Sequence, residues 1–122
     1  MNIEGTFKVI TLCGSTRFKD AFMREQKRLT LEGNIVISVG LFGHSGDIEA
    51  WMNDGETKKM LDEMHRRKID MSDGIYVINE GGYIGESTRN EIVYAILNDK
   101  TVEFMEPLEV KFKEVQPKGG LI

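Results

Sequence analysis

One cysteine, two prolines and one tryptophan are all that 122 residues contain of those types, and no apolar run approaches the length of a membrane span. A lone cysteine, Cys13, excludes an internal disulfide and a CxxC motif and fits a reducing compartment. Two histidines at unsuitable spacing from it indicate no metal site. A membrane helix needs about 20 consecutive apolar residues, and every run here is far shorter. No signal-peptide pattern opens the chain, because Glu4 precedes any apolar core. The expectation is therefore a cytoplasmic protein with no membrane partner. Excess positive charge is also missing: 16 Lys and Arg face 20 Asp and Glu, for a net charge of -4. That balance gives no reason to expect a DNA or RNA polymer as partner, whereas a nucleotide needs only a local patch. Neither GxxxxGK[ST] nor GxGxxG occurs, which speaks against a kinase, an ATPase or a standard dinucleotide enzyme.

What is present is an alternation of apolar runs and helical patterns. Residues 7–13, 34–39, 74–79 and 100–105 read as strands, and 109–115 alternates like a short edge strand. Between them, a helix capped by Ser15 or Thr16 reaches about residue 33, with Phe18, Phe22, Glu25 and Leu29 on one side. A second helix spans about 54–72, with Met60, Met64 and Met71 on one side, and a third carries Glu91. Strands alternating with helices predict a single α/β domain. Its form is Rossmann-like or flavodoxin-like: a parallel sheet of about five strands covered by helices on both faces. The tail, 116–122, belongs to no element of this pattern.

Two junctions carry candidate chemistry. The first strand runs into Gly14, Ser15, Thr16 and Arg17, where glycine admits a ligand to the backbone, the hydroxyls donate and Arg17 can hold a phosphate. An ordinary serine-capped turn has the same local sequence. The third strand runs through Gly81 and Gly82 to Gly85, Ser87, Thr88 and Glu91. Thr88-Arg89-Asn90-Glu91 spells a capping box, which would make Glu91 a helix cap. The same carboxylate in a first turn would be held ionised by the helix dipole, fit to attack the anomeric carbon of a sugar. His44, in the glycine-rich loop after the second strand, lies at the sheet end where ligands bind. His65 has the acid–base range of a catalyst, while Asp62, Asp70 and their charged neighbours read as a solvated helix face. Cys13 reads as a small buried hydrophobe.

These segments, in this order, resemble the nucleoside 2-deoxyribosyltransferase superfamily, which includes the 2′-deoxynucleoside 5′-monophosphate N-glycosidases. The resemblance covers residues 8–105. It rests on Cys13-Gly14-Ser15-Thr16-Arg17 after the first strand and on the run from Gly85 through Glu91 to Ala95. It implies that Glu91 is the nucleophile of a glycosyl-enzyme intermediate. Gly14, Ser15, Thr16, Arg17, Gly85 and Ser87 would then hold the 5′ side of a nucleoside or nucleotide. No cofactor or metal is implied, and a homo-oligomer (dimer or tetramer) is. Where the family carries an aspartate eight residues before the position of Asp73, this chain has His65, with Asp62 one helical turn earlier. Either His65 or Asp62 would then do the work of that aspartate on the base, or the pocket binds without cleaving, and His65 or Asp70 would assist departure of the base. The rival expectation is a non-catalytic binder of a nucleotide-derived ligand in the same pocket. A receiver-like signalling domain is disfavoured, because no acidic pair ends the first strand.

Overall fold

The computed structural model describes residues 6–42 and 55–108. Four parallel strands form one sheet: β1 (Lys8–Gly14), β2 (Asn34–Ile37), β3 (Gly74–Ile78) and β4 (Thr101–Phe104), in the order β2-β1-β3-β4. Three helices connect them: α1 (Lys19–Leu31), α2 (Gly55–Asp70) and α3 (Glu86–Leu97). The expected α/β class, parallel sheet and helical connections are present, with four strands in place of about five. The expected fifth strand at 109–115, the tail at 116–122, and His44 all lie outside the described residues.

Side chains alternate across the central strands with period two, so each strand feeds both faces of the sheet. Ile10 and Leu12 of β1, with Tyr76 and Ile78 of β3, pack against Ala21, Phe22 and Leu29 of α1. On the other face Cys13, Ile75 and Val77 meet Ile69 of α2 and Ala95 of α3. All five residues of β3 are buried, as a central strand covered on both sides requires. Helices thus cover both faces, and no described helix is long and apolar enough to cross a membrane.

The polar member of the α1 row, Glu25, is buried too. Burial alone would raise its carboxyl, but hydrogen bonds from Arg28 at 2.8 Å and from the Tyr76 hydroxyl at 2.9 Å turn the shift downward. The α2 pattern needs a correction. Its buried residues are His65 and Ile69, while Met60, Met64 and Met71 are exposed. Helix formation there owes little to a continuous apolar stripe. Strong helix formers and the i,i+4 pairs Lys58–Asp62 and Glu63–Arg67 support it.

Gly14 ends β1 with φ at 150°, and a Cβ placed there would stand 2.7 Å from the Ile78 carbonyl oxygen. The two strand ends that frame the site therefore depend on a missing side chain. Gly14→Ala is expected to destabilise the fold by about 1–3 kcal/mol, from backbone strain and overpacking together. Urea denaturation measures it, and an unchanged midpoint would show that the strand ends separate freely.

Candidate active site at the divergence of the two central strands

β1 connects to β2 on one side of the sheet and β3 connects to β4 on the other. At the carboxyl ends of β1 and β3 the chain leaves in opposite directions, and a crevice opens between the departing loops, as in open α/β sheets generally. A cleft of about 520 Å³ occupies this place. That is the size of a typical small-molecule site. The turn after β1 supplies Gly14, Ser15, Thr16 and Arg17, and the start of α3 supplies Gly85, Ser87, Thr88 and Glu91. One face of α2 adds Lys58, Asp62, His65 and Lys68. Two motifs about 70 residues apart in sequence thus share one cavity.

The turn after β1 is a short 3-10 segment, Thr16–Phe18, capped by the Ser15 hydroxyl, which accepts from the Arg17 backbone N–H at 3.3 Å. The Arg17 guanidinium lies over the Tyr83 ring, 4.5 Å from its centroid. That stacking aims a cation along the cleft wall without neutralising it. Across from it, α3 begins after Gly85 with no side-chain cap on its first turn. Its leading N–H groups and dipole are directed at the same space.

The capping box does not form. α3 starts at Glu86, so Thr88 is its third residue and Glu91 its sixth, one turn too deep to reach a cap. The extended backbone of Gly85 admits helix three residues earlier than the Thr88 signal implied. The electrostatic expectation reverses with it. Burial pushes the Glu91 carboxyl up to about 7. Hydrogen bonding from the Cys13 thiol pulls it down, the charge of Asp62 adds to the rise, and Arg66 and Lys58 oppose it. Glu91 is therefore poised between protonated and ionised forms near neutral pH, in the range where catalytic groups are set.

Beneath the cleft three side chains from three elements converge. His65 Nε2 of α2 lies 3.5 Å from Cys13 Sγ of β1 and 3.9 Å from Glu91 Oε1 of α3. Burial, with the charge of Lys68 adding, lowers the His65 pKa to about 4, against a backbone hydrogen bond to Leu12 and the charge of Asp62. A neutral imidazole makes the His65–Glu91 contact a polar packing contact rather than an ion pair. Burial raises the Cys13 thiol well above its usual range, and the Glu91 charge and hydrogen bond raise it further.

Most of the expected site residues are brought together: Glu91, His65, Gly14, Ser15, Thr16, Arg17, Gly85 and Ser87 all line the cleft. Asp70 is not. It is the last residue of α2, whose end leads into the start of β3, at the amino end of the strands, opposite the cleft. Its carboxylate accepts from the Tyr94 hydroxyl at 2.7 Å and pairs with Arg67 at 3.2 Å. Asp62 and Lys68, read in the sequence as part of a mostly solvated helix face, wall the site together with Lys58. Their spacing around His65 follows the helical repeat, a signal the sequence did carry. Among the described residues, ligand atoms of Cys13, His65 and Glu91 all lie within 4.8 Å of one another. No protein-family model matches the chain, and no curated protein matches it.

Proposed function

We propose that this cleft cleaves or transfers the N-glycosidic bond of a nucleoside or its 5′-monophosphate, with Glu91 as nucleophile. The observation that carries the reading is the partly buried Glu91 carboxylate, 18% exposed, in a crevice that also holds Arg17 and the Ser15 turn. In its ionised form Glu91 attacks the anomeric carbon as the bond to the base breaks, and the base leaves with the electron pair. Water or a second base then attacks the glycosyl ester and restores the carboxylate. Positive charge develops on the sugar in this transition state, which favours ionised Glu91 when substrate displaces water. Asp62, which lines the cleft while Asp70 does not, is the aspartate assigned to assist the departing base. Neutral His65 packs against Glu91 and positions it. The reading includes a cytoplasmic setting and a homo-oligomer.

Incubation of the wild-type protein with nucleosides and their 5′-monophosphates, followed by chromatography for free base, tests it. Ligand binding by thermal shift with no base released from any member of the panel selects the non-catalytic binder instead.

Arg17 decides the 5′ end. A charge-assisted phosphate contact is worth about 1.5–3 kcal/mol. Arg17→Ala is therefore expected to weaken binding of a 5′-monophosphate about 10- to 100-fold, and that of the parent nucleoside far less. Titration calorimetry measures both, and equal losses would remove Arg17 from phosphate recognition.

A further inference from the structure

We propose that Cys13, His65 and Glu91 together form a binding site for a divalent transition-metal ion of the Zn²⁺ class, with a fourth position open to the cleft. A thiolate, an imidazole and a carboxylate are the donor types such an ion selects. Hard ions such as magnesium prefer all-oxygen sets, which this cluster does not offer. Geometry fits as well. With bonds of about 2.3 Å to sulfur and about 2.0–2.1 Å to nitrogen and oxygen, tetrahedral ligands stand about 3.4–3.6 Å apart. The sulfur–nitrogen edge here is 3.5 Å and the nitrogen–oxygen edge 3.9 Å, with every edge within 4.8 Å. A torsional adjustment of the Glu91 side chain closes the remainder.

Three elements supply the donors, and the buried side chains around Cys13 hold it rigidly: Ile69, Ile75, Val77 and Ala95. His65 is itself buried, 7% exposed, which restricts its ring within the packed interior. His65 and Glu91 line the cleft, which provides the entry path and leaves the fourth position to water or ligand. Binding converts the Cys13 thiol to a metal thiolate and releases its proton to solvent, so the site fills more readily as pH rises. No redox change is involved. The site does not rest on the glycosidic reading. One consequence does: a metal held by Glu91 occupies the nucleophile, so metal and glycosyl transfer exclude each other.

Cobalt(II) added to the chelator-treated full-length chain tests the proposal. The expected result is a thiolate-to-cobalt charge-transfer band in the near ultraviolet that saturates at one equivalent and disappears when zinc is added. Cys13→Ser is expected to abolish the band, and Glu91→Gln to weaken cobalt affinity more than tenfold. Absence of the band at one equivalent overturns the site, as does an unchanged band in Cys13→Ser. Where Cys13→Ser loses its far-ultraviolet circular dichroism, His65→Gln and Glu91→Gln decide, and unchanged cobalt affinity in both overturns it. The readout is independent of base release. With base release assayed on the chelator-treated, metal-free protein, release without cobalt binding overturns the metal site alone, and cobalt binding without release overturns the glycosidic reading alone.

Discussion

Glu91→Gln is expected to lower base release by at least ~10³-fold while leaving the protein folded. Glutamine keeps the shape of the side chain and removes its capacity to form a glycosyl ester, so the loss falls on the chemical step. Binding of nucleoside or 5′-monophosphate should persist, because the proposed reading assigns the 5′ side to the turn after β1, which lines the cleft separately from Glu91. Chromatography of free base beside calorimetric titration separates the two effects. Base release within tenfold of wild type would remove Glu91 from the chemistry. Stability gives a second discriminator. A carboxylate whose ionised form the fold stabilised would cost stability when replaced by glutamine. A buried carboxylate whose ionisation the fold opposes does the reverse, so at pH 8 the variant should gain up to about 3 kcal/mol over wild type.

The pH profile of stability should be nearly flat between about pH 4.5 and 6.5 in the wild type and sloped in opposite directions in two variants. For Glu91 the folded pKa, about 7, stands above the ordinary 4.5 of an unfolded chain. The folded state holds its proton longer, so this contribution is complete below pH 4.5 and is lost as pH rises through 7. For His65 the folded pKa, about 4, stands below the ordinary 6.5. The unfolded state takes up its proton first, so this contribution is complete above pH 6.5 and is lost as pH falls through 4. Each is worth about 3 kcal/mol over its window, and where the windows overlap the slopes cancel. His65→Gln should therefore lose stability steadily from pH 4.5 to 7, and Glu91→Gln should gain it from pH 4 to 6.5. Neither shift owes anything to the charge of the other residue, so removing one leaves the other in place. Urea midpoints in chelator, read across this range, make the comparison. Parallel profiles for the two variants would show that at least one group is not buried as described.

How far the sequence carried the site depended on the kind of signal. The turn after β1 and the junction after β3 were legible because strand, glycine and hydroxyl residues follow one another locally. The start of α3 was misread at Thr88 because a capping box is a sequence pattern, while the backbone at Gly85 began the helix earlier without any side-chain cap. Asp70, expected with His65 to assist base departure, shares a helix with it, and a shared helix does not bring both to the cleft. An antiparallel return across the sheet carries the end of that helix away from the cleft. The methionine side of α2 was legible as a periodicity, yet periodicity does not say which face is covered. His65 and Ile69 took the buried side.

By itself the sequence determined an α/β chain with a parallel sheet, because runs of β-formers separated by helical stretches have few other ways to bury both faces. It also determined which two strand-end turns flank the crevice, since the loops at strand ends are local features, but not which face of α2 walls it. Only the tertiary structure decided the chemistry available there. Cys13, His65 and Glu91 are 52 and 26 residues apart along the chain and carry no shared motif. They meet because β1, α2 and α3 pack on one face of the sheet. Burial on that face sets the proton on Glu91, keeps His65 neutral and keeps Cys13 a thiol. Desolvation is a property of the surrounding volume rather than of neighbours in sequence, and no spacing rule encodes it.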